Sequence, residues 1–223
     1  MSAGPGSTRG SGSFVDSLVS DLEPVRPIRL ARMITLALVV EAAVVLLVAW
    51  LLGVRVVEAE RLHDPAFVGL LAALALGAGA SAAAMTALSI PGRDVPASSR
   101  IGLVALPLVL AVVVAVFSPW GGTWKGFFAV LIEGFGCTRT TLLVATPAWI
   151  AGLLMMRRLG PLDAASVGLF CASTALLAAA LVVQMGCAQC DSWHIALAHY
   201  LPVALAASVA ALLSPLLLRS PPR

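Results

Sequence analysis

The sequence predicts an all-α, polytopic membrane protein: six transmembrane helices in a compact bundle, both termini cytoplasmic, with a short amphipathic helix ahead of the first span. Three observations carry this prediction. The 223 residues are 60% hydrophobic and only 11% charged, with a mean hydropathy of +1.01, a composition that soluble domains do not have. Six apolar runs approach the roughly 20 residues needed to cross a ~30 Å hydrocarbon core, at about 30–53, 66–90, 101–118, 139–156, 164–186 and 195–218. In lipid each run must satisfy its own backbone, so each is expected to be a helix. The third observation is where the cations fall. Arg9, Arg26, Arg29, Arg32, Arg93, Arg100, Arg157, Arg158, Arg219 and Arg223 lie on one side of the six spans, and only Arg55, Arg61, Lys125 and Arg139 on the other. The positive-inside rule makes the first side cytoplasmic. The net charge of +3 is therefore a matter of topology before it is a matter of partners.

Residues 1–12 are Gly/Ser-rich and read as a disordered leader, and no cleavable signal peptide is expected. Residues 13–29 form a cytoplasmic segment of different character. Phe14, Val15, Leu18, Val19 and Leu22 fall on one helical face, and Asp16, Ser17, Ser20, Asp21 and Glu23 on the other. Ser13 and Asp16 make a start signal, and Pro24 and Pro27 end the helix before the bilayer. Membrane-surface helices usually carry Lys or Arg on the polar face. This face is acidic, which suits a groove on a protein partner better.

Within the transmembrane domain, residues 30–218, the first span carries Glu41 near its midpoint. An intramembrane carboxyl group is expensive and should face other helices, either as a structural hydrogen-bonding group or as a coupling element. The second span contains Gly77-Ala78-Gly79-Ala80-Ser81, small residues that permit close helix packing. Pro107 and Pro147 are candidate kinks in the third and fourth spans. The segment between these spans holds Trp120, Trp124, Phe127, Phe128 and Phe135, and reads as an interfacial belt or a short helix on the outer leaflet. The tight inner turn Arg157-Arg158-Leu159-Gly160-Pro161 makes the fourth and fifth spans antiparallel neighbours, which brings Cys137 near Cys187. Residues 219–223 are a cytoplasmic tail.

The chemistry concentrates in the loop before the sixth span, Cys187-Ala188-Gln189-Cys190-Asp191-Ser192-Trp193-His194. Thiolates and an imidazole at this spacing suit a thiophilic metal or disulfide exchange. Cys137, Cys187 and Cys190 all lie on the outer side, where disulfides persist, and His194 is the better histidine candidate. His199 follows five residues later, which on a regular helix points it some 140° away, so the two histidines are not expected to form one ligand pair. Cys171, inside the fifth span, reads as a small buried hydrophobe.

The tail Val15-Asp16-Ser17-Leu18-Val19-Ser20-Asp21-Leu22-Glu23-Pro24-Val25-Arg26-Pro27, followed by six short spans, resembles the NrsF (negative regulator of sigma F) family of bacterial membrane anti-sigma factors. Gly136-Cys137, the Arg157–Pro161 turn and a cysteine-aspartate loop before the sixth span agree with it, so the resemblance covers about residues 13–218. It implies a multi-pass protein of the bacterial inner membrane that sequesters an ECF-type sigma factor and releases it under heavy-metal or oxidative stress. The sigma factor would be held through Phe14, Val15, Leu18, Val19, Asp21, Leu22 and Arg26. In that family two outer cysteines are tied to sensing. Cys137 matches the first, and Cys187 or Cys190 the second, because this chain has Cys-x-x-Cys where a single cysteine is expected.

On this reading the protein is not an enzyme and needs no cofactor, although the outer cysteines could hold a zinc or heavy-metal ion. Its partners are the sigma factor and the bilayer, with no direct contact to nucleic acid. The alternatives are a thiol-disulfide oxidoreductase using Cys187 and Cys190, which lacks the usual second outer pair, and a metal transporter, for which Glu41 and His199 make a sparse path.

Overall fold

The computed structural model describes residues 29–55, 59–90, 92–117, 127–189 and 191–218, together with Val19. Among these residues the protein is all-helical, and six helices are each long and apolar enough to cross a membrane. They are α1 (Leu30–Leu51), α2 (Pro65–Leu88), α3 (Ala97–Phe117), α4 (Phe127–Arg157), α5 (Ala164–Gly186) and α6 (Ser192–Leu218). A single 3₁₀ turn, Ala59–His63, leads into α2. Of the segment 13–29 only Val19, helical and exposed, and Arg29, at the start of α1, are described; Phe14, Val15, Leu18, Asp21, Leu22 and Arg26 lie outside the described residues, as does Cys190.

Aspartates start three of the helices. Asp64 accepts from the backbone N–H of Ala66, with Pro65 at the first helical position, where its missing N–H costs nothing. Asp163 accepts from Ser166 N–H and Asp191 from Trp193 N–H, so the aspartate of the cysteine-aspartate loop serves as the N-cap of α6. The α4–α5 turn closes through Gly160, whose φ of +64° only glycine adopts readily.

The fifth helix is the central post. It is the most buried of the six, and α2, α6 and α4 pack against it most extensively. Its sequence explains why: Gly168, Ala172, Ala175, Ala179 and Ala180 leave a narrow rod that neighbours can approach closely, the packing that lipid-embedded helices depend on. Around it the order is α1, α2, α3, α6, α4 and back to α1, so the sixth helix in sequence sits between the third and the fourth. Leu36, Val39 and Leu46 of α1 and Ile101, Leu108 and Val112 of α3 face outward, an apolar surface compatible with a lipid environment.

Several boundaries differ from the hydropathy reading, α3 beginning at Ala97 and not near residue 101, and two of them bear on the site. The fourth helix begins at Phe127 and not near residue 139, so the aromatic segment around Phe128 and Phe135 is continuous with the span. At 31 residues α4 is about 46 Å long, well beyond a ~30 Å hydrocarbon core. Cys137 is therefore a helical residue, about 30 Å up the helix from Arg157. The sixth helix starts at Ser192, and its segment Ile195–Tyr200 is a π-helix.

Close approach of α5 and α6 rests on Gly168. A Cβ there would run into Ser214 Oγ and Cβ, atoms near the α6 backbone that cannot swing aside. We expect Gly168→Ala to force the two helices apart and to cost about 1–3 kcal/mol, read as an earlier thermal unfolding transition of the detergent-solubilised protein. An unchanged transition would mean that α6 does not pack on the post as described.

Candidate functional site

The end of the bundle where α5 stops and α6 begins gathers the reactive side chains. Cys187 follows the last residue of α5, and its sulfur lies 3.6 Å from Cys137 Sγ on α4 and 3.4 Å from His194 Nε2 on α6. His199 joins them: one donor atom from each of Cys137, Cys187, His194 and His199 lies within 4.8 Å of the other three. Cys137 is half-buried and the other three are buried. Both described thiols of the cluster are free.

Joining the two histidines overturns the expectation from regular helical spacing. The rings meet edge to face with centroids 5.4 Å apart. The physical reason is the π turn over Ile195–Tyr200: hydrogen bonds closed between residues five apart stack His194 and His199 on one face, where an α-helix would separate them. A signal was present in the sequence. Pro202 has no N–H to give to the carbonyl of Ala198, four residues earlier, so the ladder must loosen there. Thr138 Oγ1, from α4, donates to that freed carbonyl at 2.8 Å and ties the π segment to the helix that carries Cys137. Gly134 makes room for it, since a Cβ there would strike Ala198 Cβ and approach His194 Cε1.

Cys187 is held by its backbone as well as by its sulfur. Arg61, on the 3₁₀ turn, donates from Nη1 to the Cys187 carbonyl (2.8 Å) and from Nη2 to that of Ala188 (3.2 Å). A planar guanidinium bonded to two successive carbonyls fixes the cap of α5 firmly. Beside the sulfurs lies a pocket of about 350 Å³ lined by residues that include Arg55, Gly136, Cys137, Thr140, Gly186 and Cys187, so both thiols border an accessible space. Gly186 keeps the Val54–Arg55 backbone close, since a Cβ there would press on Arg55 O.

The electrostatics favour charge on one sulfur. The thiol of Cys137 stabilises the Cys187 thiolate and pulls its pKa well below the usual thiol range; burial opposes this, and the imidazoles of His194 and His199 assist. Thiolate and imidazole donors in this arrangement can ligate a metal ion, and the two sulfurs are placed to form a disulfide after a small movement. The described members of the expected site, Cys137, Cys187 and His194, stand together, and His199 is the member that periodicity missed.

Glu41 lies elsewhere. It is buried against α4 and α5, with Oε1 3.9 Å from Cys171 Sγ, and it occupies a notch that only Gly152 leaves open. Cys171, 3.5 Å from the Trp149 carbonyl, is thus a neighbour of the carboxyl group as well as a buried apolar filler. Cys171 and Cys187 are 16 residues apart on α5, so Glu41 sits about 24 Å from the thiol cluster.

A family model described as NrsF, negative regulator of sigma F, matches residues 18–219. No curated protein and no solved structure matches the chain.

The depressed Cys187 pKa has a kinetic signature. An ordinary thiol loses reactivity about tenfold for each pH unit below its pKa, because only the thiolate attacks. In reduced, chelator-treated protein, we expect Cys187 to be alkylated by iodoacetamide at nearly constant rate from about pH 6 to about pH 8. Peptide mass spectrometry gives the rate at that residue, and a tenfold rise per unit would show a normal thiol.

Proposed function

The chain belongs to the NrsF family of negative regulators of sigma F, and on that premise we propose that it is a membrane-bound anti-sigma factor for an ECF-type sigma factor, with a thiol sensor on the outer face. The protein sits in the bacterial inner membrane with both termini in the cytoplasm. The ten-to-four bias of arginine and lysine across the spans supports that orientation, and the six apolar helices support the multi-pass reading.

Two ends divide the work. In the cytoplasm, Phe14, Leu18 and Leu22, flanked by Val15 and Val19 and positioned by Asp21 and Arg26, lie in a groove on the sigma factor and cover the surface it presents to core polymerase. Outside, Cys137 and Cys187 change state when a heavy metal or an oxidant arrives. The observation that carries this reading is the 3.6 Å approach of two sulfurs from different helices beside an accessible pocket. A bond or a shared ion between them links α4 to α5, and the packed bundle transmits the change. For this to switch, the bundle needs two arrangements that the ligated and free thiols favour differently.

The protein acts as a regulator and not as an enzyme. Cys187 faces Cys137 and two imidazoles, a sensing or ligating arrangement, whereas a thiol oxidase would want a second outer pair to relay electrons. Transport is poorly supported as well, because about 24 Å separates Glu41 from His199 and its neighbours.

The reading is tested in native membranes solubilised in mild detergent. A small sigma factor should co-purify with the intact protein and be lost on deletion of residues 13–27. Cys137→Ser should leave that capture intact while abolishing release by metal or oxidant. Absence of any sigma factor from both preparations would refute the anti-sigma assignment, and failure of Cys137→Ser to bind sigma would refute the division between sensing and docking ends.

A further inference from the structure

We propose that Cys137, Cys187, His194 and His199 form a closed, four-coordinate site for one divalent cation of the zinc class, with the π turn of α6 supplying its fourth donor. The inference deepens the sensing reading above, and rests on it only for the biological use of the ion.

Two edges of the cluster already have the length of edges in an ion's shell. Around a tetrahedral zinc, ligands at about 2.3 Å (sulfur) and about 2.05 Å (nitrogen) stand about 3.8 Å apart for two sulfurs and about 3.6 Å apart for a sulfur and a nitrogen. The observed separations are 3.6 Å for Cys137 Sγ to Cys187 Sγ and 3.4 Å for Cys187 Sγ to His194 Nε2. His199 is the remaining corner, its donor within the 4.8 Å that encloses the set.

Unsatisfied groups point the same way. Both ring nitrogens of His199 are buried with no hydrogen-bond partner among the described residues. Buried polar atoms are nearly always paired. A disulfide between Cys137 and Cys187 would leave both nitrogens of His199 as orphaned as before. A cation satisfies one nitrogen on each ring and both sulfurs at once.

Charge selects the ion. When a dication binds, the protons on the cysteine sulfurs leave to solvent, and two thiolates with two neutral imidazoles cancel its charge. A neutral cluster is the one that costs least to bury at the end of an apolar bundle, whereas a monovalent soft ion would leave a net negative charge there. Mixed sulfur and nitrogen donors in four-fold array select zinc and its congeners over calcium or magnesium.

The test uses the full-length chain in detergent, reduced and stripped with chelator, and titrated with Co²⁺ as an optical probe. The intact protein should take up about one equivalent, with the intense visible bands of four-coordinate cobalt and thiolate charge transfer in the near ultraviolet, both erased by Zn²⁺. His199→Ala should collapse the visible bands and weaken Zn²⁺ retention against a competing chelator by more than the roughly 10- to 100-fold that loss of a merely orienting group costs. His199→Cys keeps four donors, so it should keep the tetrahedral bands and strengthen the charge transfer, while exposed His63→Ala should match the parent. Absence of the bands from the intact protein, or His199→Ala indistinguishable from it, would overturn the proposal. Sigma capture measured on the same samples separates the two readings: bands without capture leave the metal site standing and remove the anti-sigma assignment.

Discussion

Most of this bundle is arranged against one thin helix. Because lipid is as apolar as a leucine side chain, transmembrane helices gain little by hiding hydrophobic surface from it, and must associate through close contact. The alanines and Gly168 of α5 permit that contact on several sides, so α1, α2, α4 and α6 all pack directly on it. The same closeness brings polar groups from different helices together at both ends of the post. At one end this is the thiol and imidazole cluster. At the other, Arg100 bridges Asp94 and Asp163, the N-cap of α5, and donates through Nε to the Val95 carbonyl. That exposed network adds little stability on its own, but it fixes the loop ahead of α3 to the foot of the post.

Much of this was legible in the amino-acid sequence, for identifiable reasons. Apolar runs near 20 residues have few alternatives to spanning helices, and the fifth span was read to its observed ends because Asp163 and the Cys187 loop punctuate it sharply. The neighbourhood of Cys137 and Cys187 followed from the short Arg157–Pro161 turn, since two antiparallel helices joined so tightly must lie side by side. The family could be recognised from short motifs spread along the chain, and the family model extends over nearly the same residues.

What escaped the sequence has equally definite causes. Glycines and aromatics before Cys137 break the hydropathy signal but not the helix, so α4 reaches a dozen residues further than its apolar run. The pairing of His194 with His199 was hidden by the assumption of 3.6 residues per turn. Pro202 marks the place where that assumption fails, yet its effect depends on Thr138 of another helix accepting the task of satisfying Ala198. Arg61 carried no local signal at all: its carbonyl partners at Cys187 and Ala188 lie more than a hundred residues away in sequence. Tertiary placement, not local pattern, assigns such groups their work.

The order of the ring has a consequence for how the protein is made. On the multi-pass reading proposed above, spans would enter the membrane as they are synthesised, so α1 to α3 would be present before the central post exists, and α4 and α5 would arrive with one wall still missing. That wall is α6, which slots between α3 and α4 and brings both histidines with it. Until it inserts, the small-residue flank of α5 stays open and the two cysteines stand without their imidazoles. The cluster is therefore completed by the same event that seals the bundle, so only a fully assembled molecule carries a complete set of donors.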